Sequence, residues 1–214
     1  MTTIPEEANA LHQEGRKAGG AGNPVRALEL FFRAHQLAPD WAYPMYDMAF
    51  TYLLGDDLAE AEKWYAAVDK LEPRGFFTSK TSLDTVRRER RGELPAGFSK
   101  AFAMLEWEPP ERQRGVLQQI VKRYPTFAPA WQRLSSLIED DEDARLAAIE
   151  RGLAAKPDDE TYSVLVVNKA LVLDRRGKKA EAKQLLQELL ADPRCTVGGE
   201  AMAKLSLSGG RKTN

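Results

Sequence analysis

Apolar residues return at intervals of three and four positions along several stretches of the chain, a spacing that puts them on one side of a helix. The clearest stretches are ALELFFRAHQLAP and AEAEKWYAAVDKLEP. Their stripes contain Leu28, Phe31, Phe32 and His35 in the first, and Ala61, Trp64, Tyr65 and Val68 in the second. Each stretch ends at a proline, which stops a helix because it lacks the N–H and crowds the preceding turn. Both stretches are therefore predicted to be amphipathic helices.

The two closing prolines, Pro39 and Pro73, lie 34 residues apart. Further helical stretches end in the same way, at Pro125, Pro157 and Pro193. The stretches PMYDMAFTYLLGDD and SVLVVNKALVLDRRGK are helical patterns too, and each meets a glycine, Gly55 or Gly177, which favours a helix C-terminus. The chain is therefore predicted to repeat a unit of helix, short turn, helix and proline turn.

Small residues in the first helices, and small or apolar residues in the second helices, recur at matching places in these units. They are Gly15, Ala49, Ala101 and Ala170 in the first helices, and the pairs Ala27 with Ala34, Ala61 with Val68 and Ala182 with Leu189 in the second helices. On these residues and the closing prolines, the chain resembles the tetratricopeptide repeat (TPR) family, whose unit is a pair of antiparallel helices of about 34 residues. The resemblance implies an all-α fold of about 12 helices that form a right-handed superhelix of antiparallel pairs, a TPR-like α-solenoid.

One domain over residues 5–208 accommodates this pattern. We expect repeats at about 8–40, 42–74, 95–125, 127–157 and 160–194, an inserted helix at about 76–91, a closing helix at about 198–207 and a disordered tail at 209–214. The insert is predicted because Pro73 and Pro125 lie 52 residues apart, which is longer than one repeat. Its apolar residues are sparse, so we expect the inserted helix to lie over the array rather than inside it.

Composition and charge change this interpretation little. The 214 residues are 43% apolar and 29% charged with a net charge of −1, as in a soluble globular protein. That balance argues against a dedicated nucleic-acid-binding protein, which needs a basic excess. The charge is uneven, however: residues 1–73 carry a net −6, residues 74–133 a net +6 and residues 134–214 a net −1. An acidic segment is therefore followed by a basic one.

No pattern of catalytic or metal-binding residues stands out. The chain has one cysteine, Cys195, and two histidines, His12 and His35. A thiolate cluster is therefore excluded, and few ligands are left for a zinc site. The stretch AGGAGNP lacks the strand and the Lys-Ser/Thr of a phosphate loop, and EDDEDAR lacks the spacing of a calcium loop. With no secretory signal and no apolar run of membrane-spanning length, we expect a cytoplasmic, non-catalytic protein without a cofactor.

The resemblance implies a concave groove lined mainly by the first helix of each pair, on the side opposite its packing stripe. In the helix at 42–54 the packing stripe is Met45, Ala49 and Tyr52. The side chains left off that stripe are Tyr43, Tyr46, Phe50 and Leu53. Aromatic residues are common where binding energy is concentrated, so they are candidates to line the groove. Alternatively, they pack against the inserted helix or the preceding repeat.

Charged residues suggest which partners fit. Chaperone-adaptor members of the family hold a C-terminal carboxylate with paired Lys and Asn residues, but here His12, Arg16 and Asp47 stand at those places, so we do not predict binding of a chaperone tail. The segment VRRERRG is the densest cationic signal, with Arg87, Arg88, Arg90 and Arg91. These arginines either engage carboxylates or phosphates of a partner, or form a solvated face toward the acidic repeats of the same chain.

The sequence thus favours a non-catalytic module that binds a protein or peptide in the groove of a TPR superhelix. Its candidate groove residues are Tyr43, Tyr46 and Phe50 as apolar anchors, and Arg16, Lys80 and Arg87 as groups that select an acidic or carboxylate-bearing partner. One alternative is a self-assembling scaffold in which the acidic N-terminal surface of one copy meets the basic middle of another. Another is an accessory domain or subunit of an enzyme. The oligomeric state stays open.

Overall fold

The computed structural model describes residues 3–209. Within that range the chain forms helices and no strand, which confirms the all-α prediction and the count of about 12 helices. The helices are α1 (Glu6–Gly20), α2 (Pro24–Leu37), α3 (Ala42–Leu54), α4 (Leu58–Leu71), α5 (Ser79–Arg90), α6 (Phe98–Met104), α7 (Pro110–Arg123), α8 (Ala128–Ser136), α9 (Glu142–Ala154), α10 (Asp159–Arg175), α11 (Lys179–Ala191) and α12 (Val197–Leu207). A short 3-10 helix, Leu105–Trp107, follows α6.

Four of the five predicted repeats each contain one pair of consecutive helices. These pairs are α1 with α2, α3 with α4, α8 with α9, and α10 with α11, and each pair is joined by a short turn and packed together, hence antiparallel. Contacts divide the chain into two compact units, Met1–Ala103 and Met104–Asn214. The chain therefore has the paired-helix architecture of a TPR-like repeat protein. The single domain over 5–208 and the hand of the superhelix stay predictions.

The 34-residue repeat is visible in the turns of the first unit. Asn23 accepts a hydrogen bond from the backbone N–H of Arg26 at the start of α2, and Asp57 does the same for Glu60 at the start of α4. Such N-caps satisfy a backbone donor that the helix itself cannot. The residues just before them, Gly22 and Asp56, both have positive φ, of 77° and 62°. The same turn is thus built twice, once with glycine and once with aspartate.

Close packing explains the small residue in α1. A Cβ added to Gly15 would lie 2.5 Å from the ring of Phe31 in α2, so only glycine fits there. The equivalent positions Ala49 and Ala170 are buried as well. Ala101, however, is exposed, and its prediction as a packing residue is wrong. The reason is that α6 has only seven residues, so the predicted repeat at 95–125 lacks a full-length first helix.

Helix α5 corresponds to the predicted insert at 76–91. It packs against α4 as α3 packs against α2, and its buried residues Leu83 and Val86 share one core cluster with residues of α3 and α4. The expectation that this helix lies over the array is therefore wrong, because it contributes to the core of the first unit. Leu53, which the sequence put off the packing stripe of α3, is buried in the same cluster.

The second unit is built around α10. This helix packs against α9, α11 and α12, and its residues Val166, Val167 and Ala170 join Leu186 and Leu189 of α11 in one buried cluster. Helix α7 packs against α8. The closing helix predicted at 198–207 is α12, and apart from Gly209 the tail predicted to be disordered at 209–214 lies outside the described residues.

The lengths and compositions of the helices also bear on membranes. Among the residues that the structure describes, no helix combines the length and the apolar character needed to cross a bilayer.

Candidate partner-binding face

Four aromatic side chains meet on one surface of the first unit. Tyr43 and Tyr46 come from α3, one turn apart, and Phe76 and Phe77 come from the turn between α4 and α5. The ring centroid of Tyr43 lies 4.9 Å from that of Phe76 and 5.5 Å from that of Phe77, and the ring of Tyr46 lies 5.7 Å and 5.4 Å from the same two. These edge-to-face and tilted arrangements are favourable for aromatic pairs. We call these four residues the aromatic face.

The aromatic face is partly open to solvent. Phe77 is 63% exposed and Tyr43 is 39% exposed, whereas Tyr46 is half-buried. The hydroxyl of Tyr46 shares a hydrogen bond of 2.8 Å with the Thr78 hydroxyl, which ties α3 to the turn before α5. The face is therefore held from two sides while its most prominent ring stays uncovered.

The backbone of the turn is unusual at Phe77. Its φ is 48°, in the left-handed region, close to Gly75 with a φ of 91°. Glycine adopts such angles at no cost, but for a bulky residue the conformation costs about 1–3 kcal/mol. The strained residue, Phe77, is also one whose ring is largely exposed to solvent. Because strained backbone clusters at functional sites, this turn is a candidate site.

A buried histidine and an aspartate border the aromatic face. His12 in α1 is almost fully buried, and its Nε2 lies 2.8 Å from Oδ2 of Asp47 in α3, so the ring donates this hydrogen bond to the carboxylate. The ring of His12 lies 5.9 Å from that of Tyr43. Arg16, one turn further along α1, is exposed and has its Nε 3.9 Å from the same Asp47 oxygen. Of the three residues compared with the carboxylate clamp, His12 and Arg16 therefore both contact Asp47.

The other predicted site residues have contacts elsewhere in the first unit. Phe50 is half-buried and packs against the core cluster that joins α3, α4 and α5. The Nζ of Lys80 lies 2.6 Å from Oδ1 of Asp69, and the Nε of Arg87 lies 3.0 Å from Oε1 of Glu62. The structure thus brings Tyr43 and Tyr46 together, leaves Arg16 at their border, and gives Lys80 and Arg87 carboxylate partners within the chain.

The remaining arginines of α5 also pair with carboxylates of the first unit. Arg90 pairs with Glu62, and Arg88 and Arg91 both pair with Glu93. Partial burial alone would raise the pKa of Glu62, but the hydrogen bonds from Arg87 and Arg90 outweigh it and hold that pKa below its ordinary value. Glu62 belongs to the acidic segment, so two of the four arginines face the acidic repeats of their own chain, as one of the two interpretations of VRRERRG expected.

Phe76 and Phe77 were not identified as site residues by sequence reasoning. Two adjacent aromatic residues directly after the Pro-Arg-Gly turn that ends α4 were the available signal. The sequence assigned them instead to the start of the inserted helix. That helix begins later, at Ser79, and the two rings are left in the turn, where they reach the side chains of α3.

Comparison with known proteins adds a weak structural likeness. No protein-family model matches the chain, and no curated protein is significantly similar to it. Solved structures that resemble it include a MamA fragment from Desulfovibrio magneticus RS-1, at 15% identity over 88% of this chain and 96% of that one. They also include TTC0263, a thermophilic TPR protein of Thermus thermophilus, at 17% identity over 94% and 99%.

A further resembling structure is YrrB, described as a TPR protein with an unusual peptide-binding site, at 14% identity over 95% of this chain and 93% of that one. The TM-score is 0.40 for all three. At that level the fold assignment rests on the helix pairs of the chain itself.

Proposed function

We propose that the protein is a binding module that holds an extended segment of a partner protein, or a peptide, against the aromatic face of its first unit. The observation that carries this proposal is Phe77, a mostly exposed ring on a left-handed backbone, surrounded by Tyr43, Tyr46 and Phe76. A ring fixed in this way loses little conformational freedom when a partner covers it, so its burial contributes fully to affinity.

The chemistry of the face favours an apolar side chain of the partner at its centre. Aromatic residues concentrate binding energy because they bury a large area with few rotatable bonds. The hydroxyls of Tyr43 and Tyr46 give the rings a polar edge, although that of Tyr46 already pairs with Thr78. We therefore expect a partner segment that places an aliphatic or aromatic residue against the exposed sides of Tyr43 and Phe77.

Selection of an acidic partner is assigned to Arg16. Its guanidinium is exposed and has only a long contact with Asp47, so a carboxylate that binds beside the face can reach it in competition with Asp47. Lys80 and Arg87 already hold Asp69 and Glu62, and recruiting either to a partner would first require breaking an ion pair. A preference for acidic partners is thus expected to be modest.

Head-to-tail self-assembly through acidic and basic surfaces has less support. That model needs the densest part of the basic middle, VRRERRG, to be available to another copy. Each arginine of VRRERRG instead contacts a carboxylate of its own unit, through Glu62 or Glu93. Peptide binding is therefore the function that we put forward.

A displayed library of random peptides, selected against the intact protein, tests this function. Selected peptides are expected to bind the wild type and to lose about tenfold or more in affinity for Phe77→Ala, because a well-packed aromatic anchor contributes about 2 kcal/mol or more. The matched control is Phe32→Ala. Phe32 is 47% exposed and lies on α2, outside the aromatic face, so the same chemical change there is expected to leave binding intact.

The opposite pattern would reject the proposal. If peptides bind Phe77→Ala and Tyr43→Ala as tightly as the wild type while circular dichroism shows all variants folded, the aromatic face is not the binding site.

A further inference from the structure

A separate cavity lies in the second unit, between the C-terminal ends of α7 and α9 and the start of α8. It has a volume of about 590 Å³, within the range of sites that hold ligands. Its apolar walls include Val121, Pro125 and Ala154. Trp131 also lines it, and this ring is only 7% exposed, with its Nε1 donating a 2.9 Å hydrogen bond to the carbonyl of Pro125. The polar atom of the indole is thus satisfied, and the small exposed part of its ring adds to the apolar wall.

Two cations line the same cavity. They are Lys122, in the last turn of α7, and Arg151, in the last turn of α9. The guanidinium carbon of Arg151 lies 5.2 Å from the centroid of the Trp131 ring, a cation–π contact. Within residues 3–209, neither cation has a carboxylate in ion-pair contact, and the residues that line the cavity include no Asp or Glu. Two uncompensated positive charges therefore open onto one apolar cavity.

Helix dipoles explain only part of this arrangement. A cation in the last turn of a helix interacts favourably with the carbonyl end, and both Lys122 and Arg151 are in that position. That interaction does not require the two cations to border a common cavity. It also does not account for an apolar cavity next to them, which a ligand with an apolar group would fill.

We propose that this cavity binds an acidic peptide segment of a partner protein, with one apolar side chain against Trp131 and flanking carboxylates on Lys122 and Arg151. An arginine over an aromatic ring keeps the N–H donors at the edge of its own planar guanidinium, where a carboxylate accepts two of them. A basic segment would meet like charges here, which disfavours it. The site is independent of the aromatic face because it uses other residues in the other unit.

Three fluorescein-labelled peptides test this proposal by fluorescence anisotropy. The first has Glu and Asp on both sides of a single Leu, the second has Ser in place of the Leu, and the third has Lys and Arg in place of the acidic residues. The first is expected to bind, and the second about tenfold or more weakly, since burial of the Leu side chain is lost. The third is expected not to bind. In a 15N NMR titration, the first peptide should shift the indole N–H of Trp131 and the amides of Ala154 and Ala155.

Variants locate the site and separate its two components. The double variant Lys122→Glu, Arg151→Glu is expected to weaken the first peptide at least about tenfold, because like charges then face the peptide. Ala154→Trp keeps both cations but fills the cavity from an exposed position of α9, and it should abolish binding. The matched control is Lys183→Glu, the same charge reversal at an exposed residue of α11 that does not line the cavity, and it should leave the affinity unchanged.

Several results would overturn the proposal. One is that the Leu and Ser peptides bind equally, because attraction would then be purely electrostatic. Another is that binding survives both the double variant and Ala154→Trp, or that no peptide binds at all. A last one would come from sedimentation of the wild type and the double variant. If the wild type is a dimer and the double variant is a monomer, the occupant of the cavity is a second copy of the chain and not a partner peptide.

Discussion

The two basic regions of the molecule differ in how their charges are used. At the C-terminal end of α5, four arginines lie in a single sequence segment, and each contacts a carboxylate of the same unit, Glu62 or Glu93. At the cavity of the second unit, Lys122 and Arg151 come from separate helices, and neither has a carboxylate in contact within residues 3–209. Each arginine of the dense cluster has a carboxylate partner in its own chain, whereas the sparse pair is available to a ligand.

This contrast shows that charge density along a sequence does not predict where a protein presents charge. Ion pairs depend on which helices pack together, as when α4 brings Glu62 to two arginines of α5. A cation is available for recognition when packing leaves no acid beside it. The predictions below test this difference between the two regions, beginning with the largest expected effect.

The acidic residue inside the arginine segment is expected to matter most for stability. Glu89 is buried, and its two oxygens accept hydrogen bonds from the backbone N–H groups of Gly97 and Ser99, at 2.5 and 2.6 Å, at the start of α6. Glu89→Ala is expected to lower the free energy of unfolding by about 2–3 kcal/mol, because these donors lose a charged acceptor. Urea denaturation measures this change.

Glu93→Ala is the control for Glu89→Ala. Glu93 is exposed and contacts only arginines that also reach water, so its removal should leave the denaturation midpoint close to that of the wild type. If the two substitutions lower stability equally, Glu89 is one more partner of the arginines and not a cap of α6.

The floor of the cavity is expected to tolerate substitution less well than its rim. Trp131→Phe removes the hydrogen bond to the carbonyl of Pro125 and part of the ring under Arg151. We expect a loss of about 1–2 kcal/mol in the free energy of unfolding, measured by urea denaturation. No change in stability would mean that the indole does not organise this cavity.

The ion pairs of Glu62 are expected to make a smaller, pH-dependent contribution. Its pKa is held below the ordinary value of 4.5 in the folded protein, so the stabilisation is present above that value and is lost as pH falls through the folded pKa. Glu62→Gln should cost less than about 1 kcal/mol near pH 7, since its arginine partners are exposed. The difference between variant and wild type should vanish at acidic pH, and a pH-independent difference would contradict this.

The smallest effect is expected at the rim of the cavity. Lys122→Ala should change the free energy of unfolding by no more than about 0.5 kcal/mol, since no ion pair is lost. Arg87→Ala should cost slightly more at low salt and nothing measurable at high salt, because its pair with Glu62 is screened. A salt-dependent loss for Lys122→Ala would reveal a carboxylate partner and break the contrast between the two regions.

The regular part of the fold was predictable because its signals are local. The closing prolines and the stripe of α2 depend on neighbours in sequence, so the helix pairs of the first two repeats could be predicted. The sequence put α5 over the array and not in the core because the buried side of this helix is largely polar. The Thr85 hydroxyl donates a hydrogen bond to the carbonyl of Thr81, and Glu89 caps α6. The buried side of α5 therefore has no continuous apolar stripe that could be recognised in the sequence.

The candidate sites depended more on contacts between helices. Tyr43 and Tyr46 could be selected because they lie off the packing stripe of α3, but their neighbours Phe76 and Phe77 are set by where α5 begins. The cavity in the second unit could not be predicted, since Trp131 and Arg151 meet only after α8 and α9 pack. Local patterns predict elements, and shared surfaces require the packing itself.

The contact between His12 and Asp47 gives the first unit a built-in competitor. Asp47 supplies, from within the chain, the same carboxylate group that a partner's acidic residue or C-terminus would bring to His12 and Arg16. A tethered group competes at a high and constant effective concentration, whereas a partner competes only at its own concentration. An external acid is therefore handicapped at this position, and the neighbouring rings are left to decide which partners are retained.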